Sequence, residues 1–248
     1  MSAPALAIGD VSDDGFLGGR IRVLQPKRGF RAAIDSVLLP AAVEADNGLD
    51  ILDAGLGAGV ASLCLLARHP QFRVTGVERE AELAALATEN ARRNGFALDV
   101  QCADLIAWRC PRAFDQVMTN PPYFELGTGT QSPLDAKARA NVQEAGLAAW
   151  ISACLSCLNP GGVLTIIHRA ECEADILSAL GTMAGGTEIL PLLPRAGGAP
   201  KRILVRARKG AASSIRRCPG FVLHGAETKY TEDAESVLRQ GAPLRWGR

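Results

Sequence analysis

A short apolar run followed by three closely spaced glycines constrains the fold of this chain more than any other stretch. Residues 49–52 (LDIL) are typical of a buried strand, and residues 53–59 continue as DAGLGAG. The next residues, 60–68, have the composition of a helix. A strand, a glycine loop and a helix in this order form the first turn of an open α/β sheet, where ligands bind beyond the carboxyl ends of the strands. Because glycine admits positive φ angles and leaves the backbone bare, this loop predicts a ligand site.

The spacing of the glycines distinguishes the loop from a dinucleotide site. That site has the pattern G-x-G-x-x-G, with a pyrophosphate at the helix N-terminus. Here the third glycine comes one residue early, and Asp53 stands two residues before Gly55, with Gly57 next. The pattern resembles motif I of class I S-adenosylmethionine (SAM) methyltransferases. That ligand carries an ammonium and a sulfonium instead of a phosphate, and an aspartate at a strand end suits such a cation. A tight turn without a ligand is the alternative.

Length and composition indicate one large α/β domain. The chain has 248 residues, of which 48% are hydrophobic, so it can bury a substantial core. No run approaches the roughly 20 apolar residues that span a bilayer, and the first residues lack the pattern of a signal peptide. The seven cysteines are odd in number and scattered, unlike a secreted disulfide framework. We therefore expect a cytoplasmic protein.

The net charge of +1 conceals two basic stretches without any acid, residues 15–34 and 189–226. Such stretches on a nearly neutral chain favour a surface that binds a polyanion such as nucleic acid. Ordinary solvated lysines and arginines are the alternative, because charge patterning is a weak signal. We expect both stretches to lie on the rim of the face that holds the ligand site. The residues that we expect to bind the polyanion are Arg28, Arg31, Lys201, Arg206 and Arg208.

Two further acids follow predicted strands. Glu78 ends the strand predicted at residues 73–78, where an acid can accept hydrogen bonds from both ribose hydroxyls of an adenosine. Asp104 follows the strand predicted at residues 98–102, where this fold usually holds the adenine amino group. A surface glutamate at a helix start and an aspartate that caps a local turn are the respective alternatives.

The most specific signal is NPPYF at residues 120–124, directly after the strand predicted at residues 114–119. Prolines fix the backbone and remove its donors. Asn120 and the Pro121 carbonyl therefore offer two acceptors for the two protons of an exocyclic amino group, while Pro122 stiffens the turn. Tyr123 or Phe124 can stack on a base, a contact worth about 1–3 kcal/mol. A purely structural proline turn is the alternative.

Together these motifs resemble the bacterial tRNA1(Val) adenine-N6 methyltransferases of the small-domain methyltransferase group. The resemblance covers about residues 18–238, and its less general parts are QPKRGFRAAIDSVLLPA (25–41), NPPYF, LTIIHRAE (164–171), APKRILVRARKG (199–210) and FVLHGAETKYTEDA (221–234). It implies that SAM is the cofactor, that residues 120–123 form the catalytic loop and that tRNA is the substrate. It also implies that the following residues contact SAM: Asp53, Gly55, Gly57, Glu78, Asp104 and Asn120.

We therefore expect a Rossmann-like α/β fold with a seven-stranded, mostly parallel sheet whose last strand is antiparallel. Residues 221–224 and 228–230 are expected to form a small hairpin. Residues 1–14 are expected to be flexible and residues 15–248 to form one domain, with an N-terminal hairpin and helix (15–46) over the SAM pocket and a core from residue 47. The expected reaction is N6-methylation of an adenine in tRNA, in the anticodon loop of valine tRNA by resemblance, and it needs neither a metal nor a membrane. Methylation of rRNA guanine N2 or protein glutamine N5 remains an alternative, as does a catalytically silent RNA-binding module.

Overall fold

The central sheet has nine strands and follows a small N-terminal hairpin. The computed structural model describes residues 11–28, 31–43, 49–122 and 146–247. The hairpin consists of β1 (Val11–Phe16) and β2 (Ile21–Pro26), and helix α1 (Asp35–Ala41) follows it. The first half of the sheet alternates with helices in the order β3 (Asp50–Ala54), α2 (Val60–Arg68), β4 (Arg73–Glu78), α3 (Ala81–Asn94), β5 (Asp99–Cys102) and β6 (Phe114–Thr119).

The second half begins with helix α4, of which residues 146–156 are described. Its other elements are β7 (Leu158–Arg169), α5 (Glu173–Leu180), β8 (Ala184–Leu193), β9 (Arg202–Lys209), β10 (Ile215–Arg217), β11 (Phe221–Val222) and α6 (Glu232–Glu235), which continues as a π-helical turn (Ser236–Gln240). The Thr231 hydroxyl accepts a hydrogen bond from the Ala234 amide and so caps α6, as its position before two acids predicts. None of the helices in the described ranges is long and apolar enough to cross a membrane.

The strand order confirms the expected fold class. The sheet runs β10-β8-β9-β7-β6-β3-β4-β5, and β9 is antiparallel to both of its neighbours while every other pair is parallel. Apolar clusters on both faces pack the helices against the sheet, with α1 and α2 on one face and α4 and α5 on the other. The carboxyl ends of β3, β4, β5 and β6 therefore meet at one edge of the sheet, which we call the active edge.

Two parts of the sheet differ from the sequence expectation. The expected sheet had seven strands, and the structure adds β10 and β11, which both pair in parallel with the outer side of β8. Residues 221–224 and 228–230 were expected to form a hairpin, which is wrong because Phe221 and Val222 pair with Leu192 and Leu193 instead. Without these short strands β8 would present a row of unpaired backbone groups, which proteins generally cover.

The hairpin extends into the stretch that was expected to be flexible. Strand β1 begins at Val11 and pairs antiparallel with β2 over its whole length. Its acids made the segment look solvated, but they have partners: Asp13 contacts Arg22 and Arg93, and Asp14 contacts Arg31. The polar composition of β1 is therefore that of an exposed strand and not of a frayed terminus. Residues 1–10 lie outside the described part of the chain.

The C-terminal segment is fastened to α1 and α2. The buried guanidinium of Arg68 in α2 donates hydrogen bonds to the carbonyls of Ala242 (2.6 Å) and Val237 (3.0 Å). Burial lowers the pKa of Arg68 to about 10. Beyond these bonds, the Leu244 amide donates to the Ala41 carbonyl at 2.7 Å, and the Trp246 indole donates to the Ala42 carbonyl at 3.2 Å. The last described residues thus support the end of α1.

Candidate active site

A cavity of about 340 Å³ lies at the active edge, between the strand ends and the N-terminal helix. It is lined by all of the residues predicted to contact SAM and by both prolines of the predicted catalytic loop: Asp53, Gly55, Gly57, Glu78, Asp104, Asn120, Pro121 and Pro122. Gln25 of β2, Ala32, and Ser36 and Leu39 of α1 line it from the N-terminal side. The fold therefore brings the described motif residues together, and the N-terminal hairpin and helix adjoin the cavity as expected.

Glu78 braces the glycine loop. Its Oε2 accepts a hydrogen bond from the Gly57 amide at 2.8 Å, and its Oε1 accepts one from the Glu80 amide at 2.9 Å. Each carboxylate oxygen can accept more than one hydrogen bond, so both remain capable of receiving a ribose hydroxyl. Glu78 thus has a structural role that the sequence did not indicate, in addition to its predicted role in binding the ligand.

This double role yields a first prediction. Glu78→Ala should weaken binding of S-adenosylhomocysteine by about 1–3 kcal/mol. The substitution removes charge-assisted hydrogen bonds to the ligand and also the hydrogen bond that holds the Gly57 amide. Isothermal calorimetry measures the affinity. Glu82→Ala, at an exposed position in the first turn of α3, is the control with the same loss of charge. Wild-type affinity in the Glu78 variant would exclude Glu78 from the site.

Asp53 is a buried acid at the end of β3, where only 2% of its surface is exposed. The Ser62 hydroxyl donates a hydrogen bond to its Oδ2 at 2.7 Å. Burial, together with the nearby negative charge of Glu78, raises the pKa of Asp53 to about 7. A bound cation would favour the ionised carboxylate, so the site is suited to a positively charged ligand group.

Asp104 both caps a local turn and lines the cavity. Its Oδ1 accepts a hydrogen bond from the Ile106 amide at 2.9 Å, which is the local turn cap considered as the alternative. It also lines the cavity, beside Ile106, whose side chain is half exposed. The turn therefore orients Asp104 at the cavity wall, and its contact with an adenine amino group stays a prediction.

The predicted catalytic loop begins at the end of β6. Thr119 is fully buried, Asn120 is half-buried, and Pro121 and Pro122 continue along the cavity wall. Because β6 pairs in parallel with β3, Asn120 follows the Ala54–Thr119 pair and stands beside the glycine loop. Tyr123 and Phe124, predicted to stack on the base, lie outside the described residues.

Trp150 of α4 is a wall residue that the sequence analysis missed. Its indole N–H donates to the Thr119 hydroxyl at 2.9 Å, and that hydroxyl donates to the Ala54 carbonyl at 2.8 Å. The ring also covers Gly55, where a Cβ atom would lie 3.1 Å from Trp150 Cζ2 and where φ is +82°. Trp150 therefore connects β6, the strand before the predicted catalytic loop, with β3, the strand before the glycine loop. An apolar helix face predicts burial of this ring, but its hydrogen-bond partner depends on tertiary packing.

We expect Trp150→Phe to lower the free energy of unfolding by about 1–3 kcal/mol, because the variant keeps a ring but leaves the buried Thr119 oxygen without its donor. Chemical denaturation measures this change, and S-adenosylhomocysteine affinity should fall with it. Trp108→Phe, which alters a partly buried ring outside the cavity, is the control. Equal stability and affinity in both variants would show that the Trp150 hydrogen bond is unimportant.

Comparison with known proteins identifies the family. A family model described as "Methyltransferase small domain" matches residues 32–189. The chain belongs to this family. The family expected from the sequence is thus confirmed, and this small-domain methyltransferase is a SAM-dependent enzyme.

Curated relatives match nearly the whole chain. A protein of Enterobacter sp. (strain 638) named tRNA1(Val) (adenine(37)-N6)-methyltransferase is 26% identical, over 91% of this chain and 94% of the relative. A protein of the same name from Dickeya chrysanthemi is 26% identical over 95% of each. A solved structure from Agrobacterium tumefaciens, described as a predicted O-methyltransferase, is 27% identical with a TM-score of 0.70, over 86% of this chain and 99% of that one.

The residues of this small-domain methyltransferase fit its cofactor. The buried Asp53 carboxylate would provide a negative charge for the cationic amino acid moiety, and Glu78 would offer two acceptor oxygens to the ribose. The bare backbone of Gly55 and Gly57 leaves space beside them. Bound SAM would supply an electrophilic methyl group at this edge of the sheet. The charge pattern of the cavity thus agrees with the chemistry that defines the family.

The cations predicted to bind a polyanion do not all lie at the active edge. Lys201 is exposed just before β9 and lies at this edge, and Arg28 is exposed just after β2. Because β9 runs antiparallel, Arg206 and Arg208 lie further from the edge, with Arg208 opposite Val163. The expectation that the whole second basic stretch rims the active edge is therefore wrong.

Arg206 and Arg31 have partners within the protein that give them a structural role. Arg206 forms an ion pair with Glu188 and packs on the Trp246 ring, with its Cζ 4.4 Å from the ring centroid. Arg31 donates to Asp14 at 2.7 Å and to the Pro26 carbonyl at 2.9 Å, and so joins the hairpin to the segment that leads into α1. These contacts give both arginines a structural role. Their positive charges are therefore partly neutralised within the protein and are not freely available to a polyanion.

Proposed function

We propose that this small-domain methyltransferase transfers the methyl group of SAM to N6 of an adenine in tRNA. The observation that carries the proposal is the placement of Asn120 and Pro121 in the wall of the same cavity as Asp53 and Glu78. The names of the full-length relatives support tRNA as the substrate and the anticodon-loop adenine of valine tRNA as the target. Such a substrate would place the reaction in the cytoplasm.

The residues of the cavity suit transfer to an exocyclic amine. The Asn120 side-chain oxygen and the Pro121 carbonyl are two acceptors on consecutive residues, and an amino group has two protons to donate. Holding both protons fixes the direction of the nitrogen lone pair. Proximity and alignment of this kind can supply most of the rate enhancement. No side chain needs to act as a strong base, because the amine can release its proton after the attack.

Other acceptors of the methyl group are less consistent with the site. A hydroxyl group has one proton and leaves one of the two acceptors without a donor, which disfavours the O-methylation named for the Agrobacterium structure. Guanine N2 and glutamine N5 each carry two protons, so both can use the same pair of acceptors. The relatives named for adenine favour adenine over these two, and membership of an enzyme family disfavours a silent RNA-binding module.

The test is transfer of labelled methyl from SAM to separate tRNA, rRNA and protein fractions from cells that lack the gene. We expect label in tRNA, recovered after digestion as N6-methyladenosine. Label found only in guanosine or only in glutamine would show that guanine N2 or glutamine N5, and not adenine N6, is the methylated nitrogen. Catalytically inactive protein carrying Asn120→Ala is the control for contaminating methyltransferases.

A further inference from the structure

A second cavity, of about 280 Å³, lies at the same edge of the sheet. Arg202 begins β9 and pairs with Arg169 at the end of β7 and with Leu192 near the end of β8. The cavity is lined by Ile34, Asp35, Leu192, Pro194, Lys201, Arg202, Leu223 and His224. The segment 32–36, which leads into α1, separates the two cavities. Ala32 and Ser36 line the cofactor cavity, and Ile34 and Asp35 line the second one.

The lining combines an aliphatic wall with positive charge. Leu192 and Leu223 are buried, and Ile34 is half-buried beside them. Lys201 is exposed at the rim, and the Arg202 Nε donates to the Asp35 carboxylate at 3.1 Å. This ion pair neutralises the one acid of the lining and leaves the Lys201 ammonium as a net positive charge. An anionic ligand with a flat apolar part matches such a surface.

His224 adds an aromatic ring that is held in place. The ring stacks on Tyr230, with centroids 5.5 Å apart and planes 20° apart, and its Nδ1 contacts the Lys229 carbonyl. Proteins commonly recognise single-stranded RNA by placing unstacked bases on aromatic and apolar side chains while cations contact the phosphates. The volume is near the lower end of ligand pockets, about 300 Å³, and so suits one nucleotide.

We propose that this second cavity binds a nucleotide of the RNA substrate that neighbours the methylated adenine. Its base would pack on Ile34 and the His224 ring, above the buried Leu192 and Leu223, and its phosphate would contact Lys201. This inference rests on the proposed function for the RNA, but it concerns a site outside the catalytic loop. It gives the basic stretch 189–226 a specific role at Lys201, after the ion pair of Arg206 and the position of Arg208 excluded a simple rim of charge.

Photo-crosslinking tests the position directly. Anticodon stem-loops of valine tRNA would carry a single 4-thiouridine at successive positions on either side of the target adenosine, and would be irradiated with the full-length protein and S-adenosylhomocysteine. We expect one flanking position to cross-link to a peptide containing residues 192–202 or 221–224. Cross-links from every flanking position only to other parts of the protein, or none from any of them, would overturn the proposal.

Substitutions supply a second readout. Lys201→Ala should weaken RNA binding severalfold and lower the slope of log affinity against log salt by about 0.7, the value for one phosphate contact on a single strand. His224→Ala should raise KM for RNA while kcat and S-adenosylhomocysteine affinity stay unchanged. Arg92→Ala removes a charge from the exposed last turn of α3 and is the control. Equal RNA affinity and salt slope in the Lys201 and Arg92 variants would contradict the proposal.

These readouts separate the inference from the proposed function. Cross-linking and binding need no methyl transfer, so a cross-link in a protein that methylates no adenine would remove the proposed reaction and keep the RNA site. Conversely, N6-methyladenosine in the product together with unchanged binding in the Lys201 variant would keep the reaction and remove the site.

Discussion

Replacing Asn120 by alanine is expected to slow methyl transfer to tRNA by about 10²–10³-fold, the loss seen when one polar partner of a developing charge is removed from an active site. In the proposed reaction the Asn120 side-chain oxygen accepts a hydrogen bond from the target amine, and this hydrogen bond strengthens as the nitrogen loses conjugation with the ring. Single-turnover transfer of labelled methyl to unmodified tRNA measures the effect. Although Asn120 also borders the cofactor cavity, S-adenosylhomocysteine affinity should change little compared with the rate, because its side-chain oxygen is directed at the base in the proposed reaction.

Asn120→Asp is the matched variant, since it keeps an acceptor and the shape of the side chain. It should retain more activity than Asn120→Ala. A wild-type rate in Asn120→Ala would exclude Asn120 as a catalytic residue. Equal losses of rate in both variants would show that the side chain acts through something other than its oxygen.

Asp53→Asn is expected to have two effects of opposite sign. In the unliganded protein the pKa of Asp53 is raised from 3.8 to about 7, so the folded state holds its proton more tightly than the unfolded state. The ionised carboxyl therefore costs stability, and this cost grows as pH rises from about 4 to 7. A shift of this size corresponds to up to about 4 kcal/mol. We expect the variant to be more stable than the wild type by up to this amount at pH 8, with the difference vanishing near pH 4.

The same substitution should weaken SAM binding, because the neutral amide provides no charge for the cationic ligand. In the wild type, affinity should fall by about tenfold for each pH unit below 7, where binding must first remove the Asp53 proton. Denaturant unfolding and calorimetry across pH 5–8 measure both quantities. A variant with unchanged SAM affinity would remove Asp53 from the site.

Asp50→Asn is the control for the stability effect, because Asp50 stands at the other end of the same strand. The hydrogen bond from Arg73 lowers the pKa of Asp50 below its ordinary value. Its contribution to stability is therefore present at neutral pH and lost as pH falls, which is the opposite trend. If both variants showed the same pH dependence, burial of Asp53 could not be the cause of its effect.

The sequence predicted which strand ends meet at the first cavity because this part of the fold is built from local patterns. Asp53, Glu78 and Asn120 each follow a short apolar run, and parallel strands place the ends of such runs at one edge. Trp150 and the ion pairs of Arg31 and Arg206 could not be found in this way. Their partners, Thr119, Asp14 and Glu188, are far away in sequence and come together only through tertiary packing.

The outermost strands of the sheet, β10 and β11, also could not be predicted from local sequence patterns. A run of strand-forming residues at 221–224 fits a hairpin as well as a parallel strand, and local pattern cannot choose between them. The choice depends on β8, whose outer side is unpaired until β10 and β11 cover it. The fold class could therefore be predicted, whereas the number of strands could not.

The attachment of the C-terminal segment to α1 has a consequence for biosynthesis. Helix α1 forms one wall of the cofactor cavity and is made early, yet its end is supported by Leu244 and Trp246, and Arg68 in α2 bonds to Val237 and Ala242. The ribosome makes these supporting residues more than 190 positions after α1. A nascent chain whose glycine loop and strand β6 are already translated thus still has an unsupported cavity wall, so the enzyme should become competent to hold its cofactor only after residues 237–246 have been made and have packed against α1 and α2.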